Sequence, residues 1–214
     1  MNLVFFLSLV SLGLTIPDNE DVTVVTVAPS IPSDEPSYKD FDTFTSAILN
    51  STNHYRAQHN ASALSWNDTL QDFAEDYLDD SSCKMEHSGG PYGENLAIGY
   101  SNATAAVEAW GDEREEYDFE DGEFDKSTGH FTQLVWKDTD SVGCGRKLCT
   151  EDDEGADITG WYVACEYWPR GNVEGEFEDE VVEGEDDDDG ALMGTVDCVI
   201  MGALGLGAAL MNFV

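Results

Sequence analysis

Apolar residues recur at helical spacing through the middle of this chain and switch to alternate spacing towards its end. Phe41, Phe44, Ile48 and Tyr55 sit near the helical period with Asp40 or Asp42 available as an N-cap, so a first helix is predicted within residues 40–60. After a turn at Leu64-Ser65-Trp66-Asn67, Asp68 caps a second predicted helix whose apolar face is Leu70, Phe73, Ala74, Tyr77 and Leu78. Residues 87–99 are rich in glycine and read as loop. A third helix is predicted over 103–117, with Ala106, Val107, Trp110 and Tyr117 on one side and Glu113 one turn beyond Trp110. An acidic, aromatic loop follows at 119–128, and Phe131, Leu134 and Val135 fit a short helix. Residues 142–148 and 161–167 read as strands, the second placing Tyr162, Ala164 and Glu166 on one face. Helices followed by closely spaced strands predict a mixed, layered α/β domain rather than a doubly wound one.

The flanks follow other rules. Residues 1–15 carry the apolar run from Leu3 to Leu14, of signal-peptide length and too short to span a bilayer comfortably. Four Asn-x-Ser/Thr sequons, at Asn50, Asn60, Asn67 and Asn102, agree with an extracellular, secreted destination and mark those asparagines for glycosylation. Residues 16–39 hold four prolines among Ser, Thr and Asp and read as a flexible segment, which leaves 40–173 as the folded domain. Residues 174–190 are dominated by acids and read as a solvated tether. Residues 191–214 form an apolar tail laid out like a glycosylphosphatidylinositol attachment signal, with Asp189 or Gly190 as acceptor. A transmembrane anchor and a tail docked on the domain are the alternatives.

Charge narrows the partners. The 214 residues include 45 acidic and 9 basic ones, a formal net charge of −36, which repels phosphate backbones and anionic headgroups. Nucleic acid is excluded, and membrane contact is expected only through a lipid anchor. Of five cysteines, Cys198 leaves with the tail if that tail is cleaved; Cys83, Cys144, Cys149 and Cys165 then allow three pairings. Of four histidines, His130 heads the apolar run Gly129-His130-Phe131-Thr132-Gln133-Leu134-Val135-Trp136, and His59 near the end of the first helix is assigned a structural role as a cation at a helix C-terminus.

The segments Asn53-His54-Tyr55-Arg56-Ala57-Gln58-His59, Leu64-Ser65-Trp66, Gly93-Glu94-Asn95-Leu96, the His130 run and the stretch from Tyr162 to Val173, in this order, resemble the CAP superfamily. Its members include the plant pathogenesis-related 1 proteins and the fungal Pry-type proteins. The resemblance implies a three-layer α-β-α sandwich and disulfides Cys83–Cys149 and Cys144–Cys165. It also implies a central cavity of His87, Glu94, Glu113 and His130, a set suited to a divalent cation, zinc or magnesium; the rival reading is a hydrogen-bonded polar cluster that fixes loops to the core. Glu166 stands where the family usually has a neutral or basic residue, most often Asn. The Asn53-His54 order is reversed relative to the family dipeptide, so His54 receives no site role.

Fungal relatives of this kind bind and export sterols through an aromatic loop. The matching loop carries Tyr117, Phe119 and Phe124, three rings expected to lie against a flat apolar ligand. The function expected is therefore non-enzymatic binding of sterols or related small hydrophobic lipids outside the cell or at its surface or wall. The alternatives are a metal-dependent hydrolase using the His/Glu cavity and a surface interaction protein without a small ligand.

Overall fold

Asp40 and Asn67 set the two long helices. In the computed structural model, which describes residues 33–153 and 159–184, Asp40 Oδ1 accepts from the Thr43 backbone N–H at 2.8 Å and starts α2 (Phe41–Gln58), just after the short α1 (Pro36–Lys39). Asn67 Oδ1 accepts from the N–H groups of Thr69 and Leu70 and starts α3 (Asp68–Asp80). The cap is therefore Asn67 rather than Asp68, because its extended backbone lets the side chain reach forward over the first turn. β1 (Ser65–Trp66) precedes α3, and β2 (Gly93–Ile98), α4 (Ala103–Gly111) and a 3-10 turn at Asp112–Glu116 follow it. The remaining elements are α5 (Gly129–Val135), β3 (Ser141–Cys149), β4 (Gly160–Trp168) and α6 (Phe177–Glu180).

The strands form one sheet in the order β1-β3-β4-β2, with β1 parallel to β3 and β4 antiparallel to both its neighbours. β4 is buried along nearly its whole length, so both of its faces are covered. Tyr162 and Ala164 pack with Ala74 and Leu78 of α3 on one side. Val163, Cys165 and Tyr167 join the larger core with residues of α1, α2, α4 and α5 on the other. This is the three-layer α-β-α sandwich. Glycine sets how closely the layers approach: a Cβ added at Gly143 would lie 2.3 Å from the Asn67 carbonyl oxygen and from the Gln71 backbone nitrogen. Disulfides join Cys83 to Cys149 and Cys144 to Cys165; the second links cross-strand partners. Arg56, with no solvent exposure, donates to the carbonyls of Ser62, Leu134, Trp136 and Thr139 and so ties α2 to the chain entering β3.

Four expectations change. Residues 93–98, read within a loop, are the edge strand β2. The third helix ends at Gly111, and 112–116 tighten into the 3-10 turn that carries Glu113. The segment 16–39 is not flexible up to its end: Tyr38 is 1% exposed, stacks on Trp161 at 5.1 Å, and donates its hydroxyl to the Tyr100 carbonyl. The segment 174–190 is not a tether from its start, because Phe177 is 2% exposed against Trp136 and the Lys137 backbone N–H donates to the Glu180 carbonyl. The folded unit thus reaches beyond 40–173 at both ends. The reading of 1–15, the acceptor candidates Asp189 and Gly190, Cys198 and the tail 191–214 lie outside the described residues. Among the described residues no helix is long and apolar enough to cross a membrane.

Candidate functional site

The two histidines and two glutamates expected in one cavity form two separate pairs. Glu113 lies just after α4, where its carboxylate accepts from the backbone N–H groups of His130 and Phe131 at 3.0 and 3.1 Å, closing the first turn of α5. Its other oxygen is 2.6 Å from His130 Nδ1. Glu94 on β2 accepts from the Ser88 N–H with both oxygens, at 3.0 and 3.2 Å, and lies 2.5 Å from His87 Nδ1. A carboxylate only accepts, so in the neutral ring each Nδ1 carries the hydrogen and each Nε2 keeps its lone pair. The carboxylates therefore orient the rings and hold loops to the sheet.

Neighbours fix the Glu113–His130 pair further. Trp110 stacks over His130 with ring centroids 6.2 Å apart, and Asn95 donates to the His130 carbonyl at 3.0 Å. His87 is the open member: its side chain is 67% exposed and lines a shallow cavity of about 320 Å³ with Glu94, Tyr92, Gln133 and Arg170. His130 and Glu113 are not among the residues lining that cavity. Among the described residues no group of three or more His, Cys, Asp or Glu is arranged to hold a metal ion. The set His87, Glu94, Glu113, His130 is thus two His–Glu pairs, in each of which the carboxylate holds backbone N–H groups and the ring Nδ1–H while the Nε2 lone pair takes no part in that bond.

Glu166 is the residue whose importance the sequence pattern understated. It faces Glu94 across the β2–β4 ladder and Gly143 across the β3–β4 ladder. It is fully buried, no N–H group reaches either carboxyl oxygen, and the side chain it meets is the Glu94 carboxylate. Burial first, then the charge of Glu94 and a hydrogen bond donated to that carboxylate, push its carboxyl up to about 9, so it is held as a neutral acid at pH 7. The departure from the usual Asn was visible in the sequence; its buried contact with Glu94 was not. His59 also differs from expectation. It is 3% exposed, its Nδ1 donates to the Val182 carbonyl at 2.7 Å, and burial lowers its pKa, so it acts as a neutral C-cap of α2 rather than a cation.

The three aromatic residues of the acidic loop do not make one platform. Tyr117 is 8% exposed and packs edge-on against Phe119, while Phe119 is half-buried, stacked on His59 and in edge contact with Phe131. Both belong to the core because that loop begins by covering the end of α2. Phe124 alone projects, at 53% exposure. It stands over a cavity of about 700 Å³ whose lining includes Asp121, Glu123, Glu174, Phe177 and Glu178. Its ring centroid is 6.2 Å from that of Phe177. Of the sequon asparagines, Asn50 and Asn60 are exposed, whereas Asn67 and Asn102 use their side-chain oxygens as N-caps of α3 and α4.

Residues 49–167 match the profile of the cysteine-rich secretory protein family, CAP. Protein PRY2 of Saccharomyces cerevisiae is 45% identical over 142 residues, covering 65% of this chain and 41% of that one. Secreted protein RBT4 of Candida albicans is 41% identical over 135 residues, covering 62% of this chain and 36% of its own length. The match thus spans less than half of either relative. Among solved structures, Schistosoma mansoni venom allergen-like protein 4 aligns over 68% of this chain and 97% of its own, with a TM-score of 0.50 and 22% identity, a likeness of fold.

Proposed function

Since this chain belongs to the cysteine-rich secretory protein family, we propose that it is a secreted, non-enzymatic binding protein for a sterol or a related small hydrophobic molecule. The observation that carries the reading is Phe124, a large ring left 53% exposed beside a cavity of about 700 Å³ floored by Phe177. Small-molecule sites typically enclose roughly 300–1,000 Å³ and combine apolar walls with a few polar groups. An exposed phenylalanine beside such a space gains contact area when a flat apolar body slides in, and that burial drives binding.

The ligand contact falls to Phe124, with the buried Phe177 beneath it and Tyr117 and Phe119 serving as the packed base of the loop. Titration of the purified chain with a fluorescent sterol tests this, using Phe124→Ala as the comparison. Saturable binding by the parent chain that weakens about tenfold or more in the variant supports the reading. Binding that is absent, or unchanged in the variant, rejects it.

A further inference from the structure

Building on that reading of the groove, we propose that the site selects a cationic amphiphile: an apolar body that carries an amine or similar positively charged head. The cavity has an apolar centre and an acidic rim. Phe124 and Phe177 supply the centre. Asp121 and Glu123 come from the loop, and Glu174 and Glu178 come from the segment around α6, so carboxylates are contributed by both chain segments that line the space. Among the described residues no lysine, arginine or histidine lines it; Arg170 lines the separate cavity beside His87.

Packing holds the two segments together. Gly122, at φ 55°, lies so close to Glu178 that an added Cβ would sit 2.7 Å from its Cγ. The loop and the start of α6 therefore pack against each other, which places acidic residues of both segments around one opening. The occupant follows from complementarity. An anionic head meets like charge on both segments, a neutral head gains nothing from them, and a cationic head is attracted by each.

A single exposed ion pair changes affinity by less than a factor of about five, and two or three acting together give about tenfold. The formal net charge of −36 adds a longer-range attraction that speeds the encounter with a cation. The volume, about 700 Å³, suits one small molecule rather than a folded partner.

Three probes sharing one sterol skeleton, with an amine, a hydroxyl or a sulfate at the same ring position, test the proposal on the full chain. The amine derivative is expected to bind about tenfold more tightly than the alcohol at low salt, and the sulfate more weakly than either. At about 0.5 M salt the preference should shrink to about twofold or less, since screening shortens the reach of exposed charges. The combined variant E123Q/E174Q/E178Q should bring the affinities for amine and alcohol to within about twofold of each other, and a urea midpoint close to that of the parent shows that it folds. Phe124→Ala should weaken amine and alcohol together.

Equal binding of amine and alcohol by the parent chain overturns charge selection and leaves the groove as a site for neutral sterols. Failure of all three probes removes the groove reading and this proposal with it. An amine preference that persists undiminished in E123Q/E174Q/E178Q assigns the attraction to the acidic surface at large and overturns the proposal.

Discussion

Replacing Glu166 with glutamine should stabilise the protein at neutral pH and leave it nearly unchanged in mild acid. The carboxyl is fully buried, and burial, then the charge of Glu94 and a hydrogen bond to that carboxylate, raise its pKa from 4.5 to about 9. A raised folded-state pKa means that the folded chain holds a proton the unfolded chain releases. The associated stability is complete below about pH 4.5 and is lost progressively as pH rises towards 9. Each pH unit in that window removes about 1.4 kcal/mol, so the loss between pH 4.5 and 7 is about 3 kcal/mol. Glutamine is neutral throughout and escapes that loss. The variant should therefore match the parent near pH 4.5 and exceed it by about 3 kcal/mol at pH 7. Urea unfolding of both proteins with disulfides intact, followed by tryptophan fluorescence at several pH values from 4.5 to 8, measures the difference directly. The many other carboxylates cancel in the comparison because both chains share them. A difference that stays flat across that range would refute the reasoning, since it would mean that Glu166 is ionised and solvated in the folded protein.

Other perturbations act through the core and the staples. Arg56→Lys should cost about 3 kcal/mol or more in chemical denaturation, because a single ammonium cannot serve the carbonyls of Ser62, Leu134, Trp136 and Thr139 together; a loss below about 1 kcal/mol would show that the guanidinium fork is dispensable. Gly143→Ala should cost about 1–3 kcal/mol, since the added methyl meets backbone atoms at 2.3 Å and α3 must move off the sheet; an unchanged thermal midpoint would argue against that close approach. Removing the Cys83–Cys149 bridge by paired alanine substitution, with a sequence separation of 66, should cost about 4 kcal/mol on the chain-entropy account. Urea midpoints under non-oxidising handling test it, and a loss under about 1 kcal/mol would contradict that account.

The elements that were legible from the sequence are those with one buried face. α2, α3 and α4 bury Phe44 and Ile48, Leu70 and Ala74, and Ala106 and Val107, and each shows that stripe at helical spacing. β2 was not legible, because Gly93, Glu94 and Asn95 carry no strand-like alternation. It is a strand through its pairing with β4, from Gly93 opposite Tyr167 to Ile98 opposite Tyr162, and local pattern does not encode a partner about seventy residues away. The site divides in the same way. The resemblance brought the right histidines and glutamates to notice, but whether they gather as ligands depends on what else claims the carboxylates. The claimants are the backbone N–H groups of Ser88, His130 and Phe131, which composition and spacing do not reveal.

The groove shows why charge pattern alone misassigned residues 174–184. Like-charge density argues for a solvated chain, and it holds for an isolated segment because acids supply no burial to offset the entropy of ordering. Two apolar residues change that balance locally. Phe177 and Val181 are buried with 2% and 5% exposure, and Lys137 donates its side-chain ammonium to the Asp179 carbonyl and its backbone N–H to that of Glu180. Once Phe177 is docked against Trp136, the acids beside it can no longer spread apart in solvent, and Glu174 and Glu178 are held at the mouth of the cavity beneath Phe124. Keeping them there carries a repulsive cost, which the docked phenylalanine offsets. A cation entering the groove would relieve that repulsion, so the contacts that order the acidic segment also prepare it for a positively charged ligand.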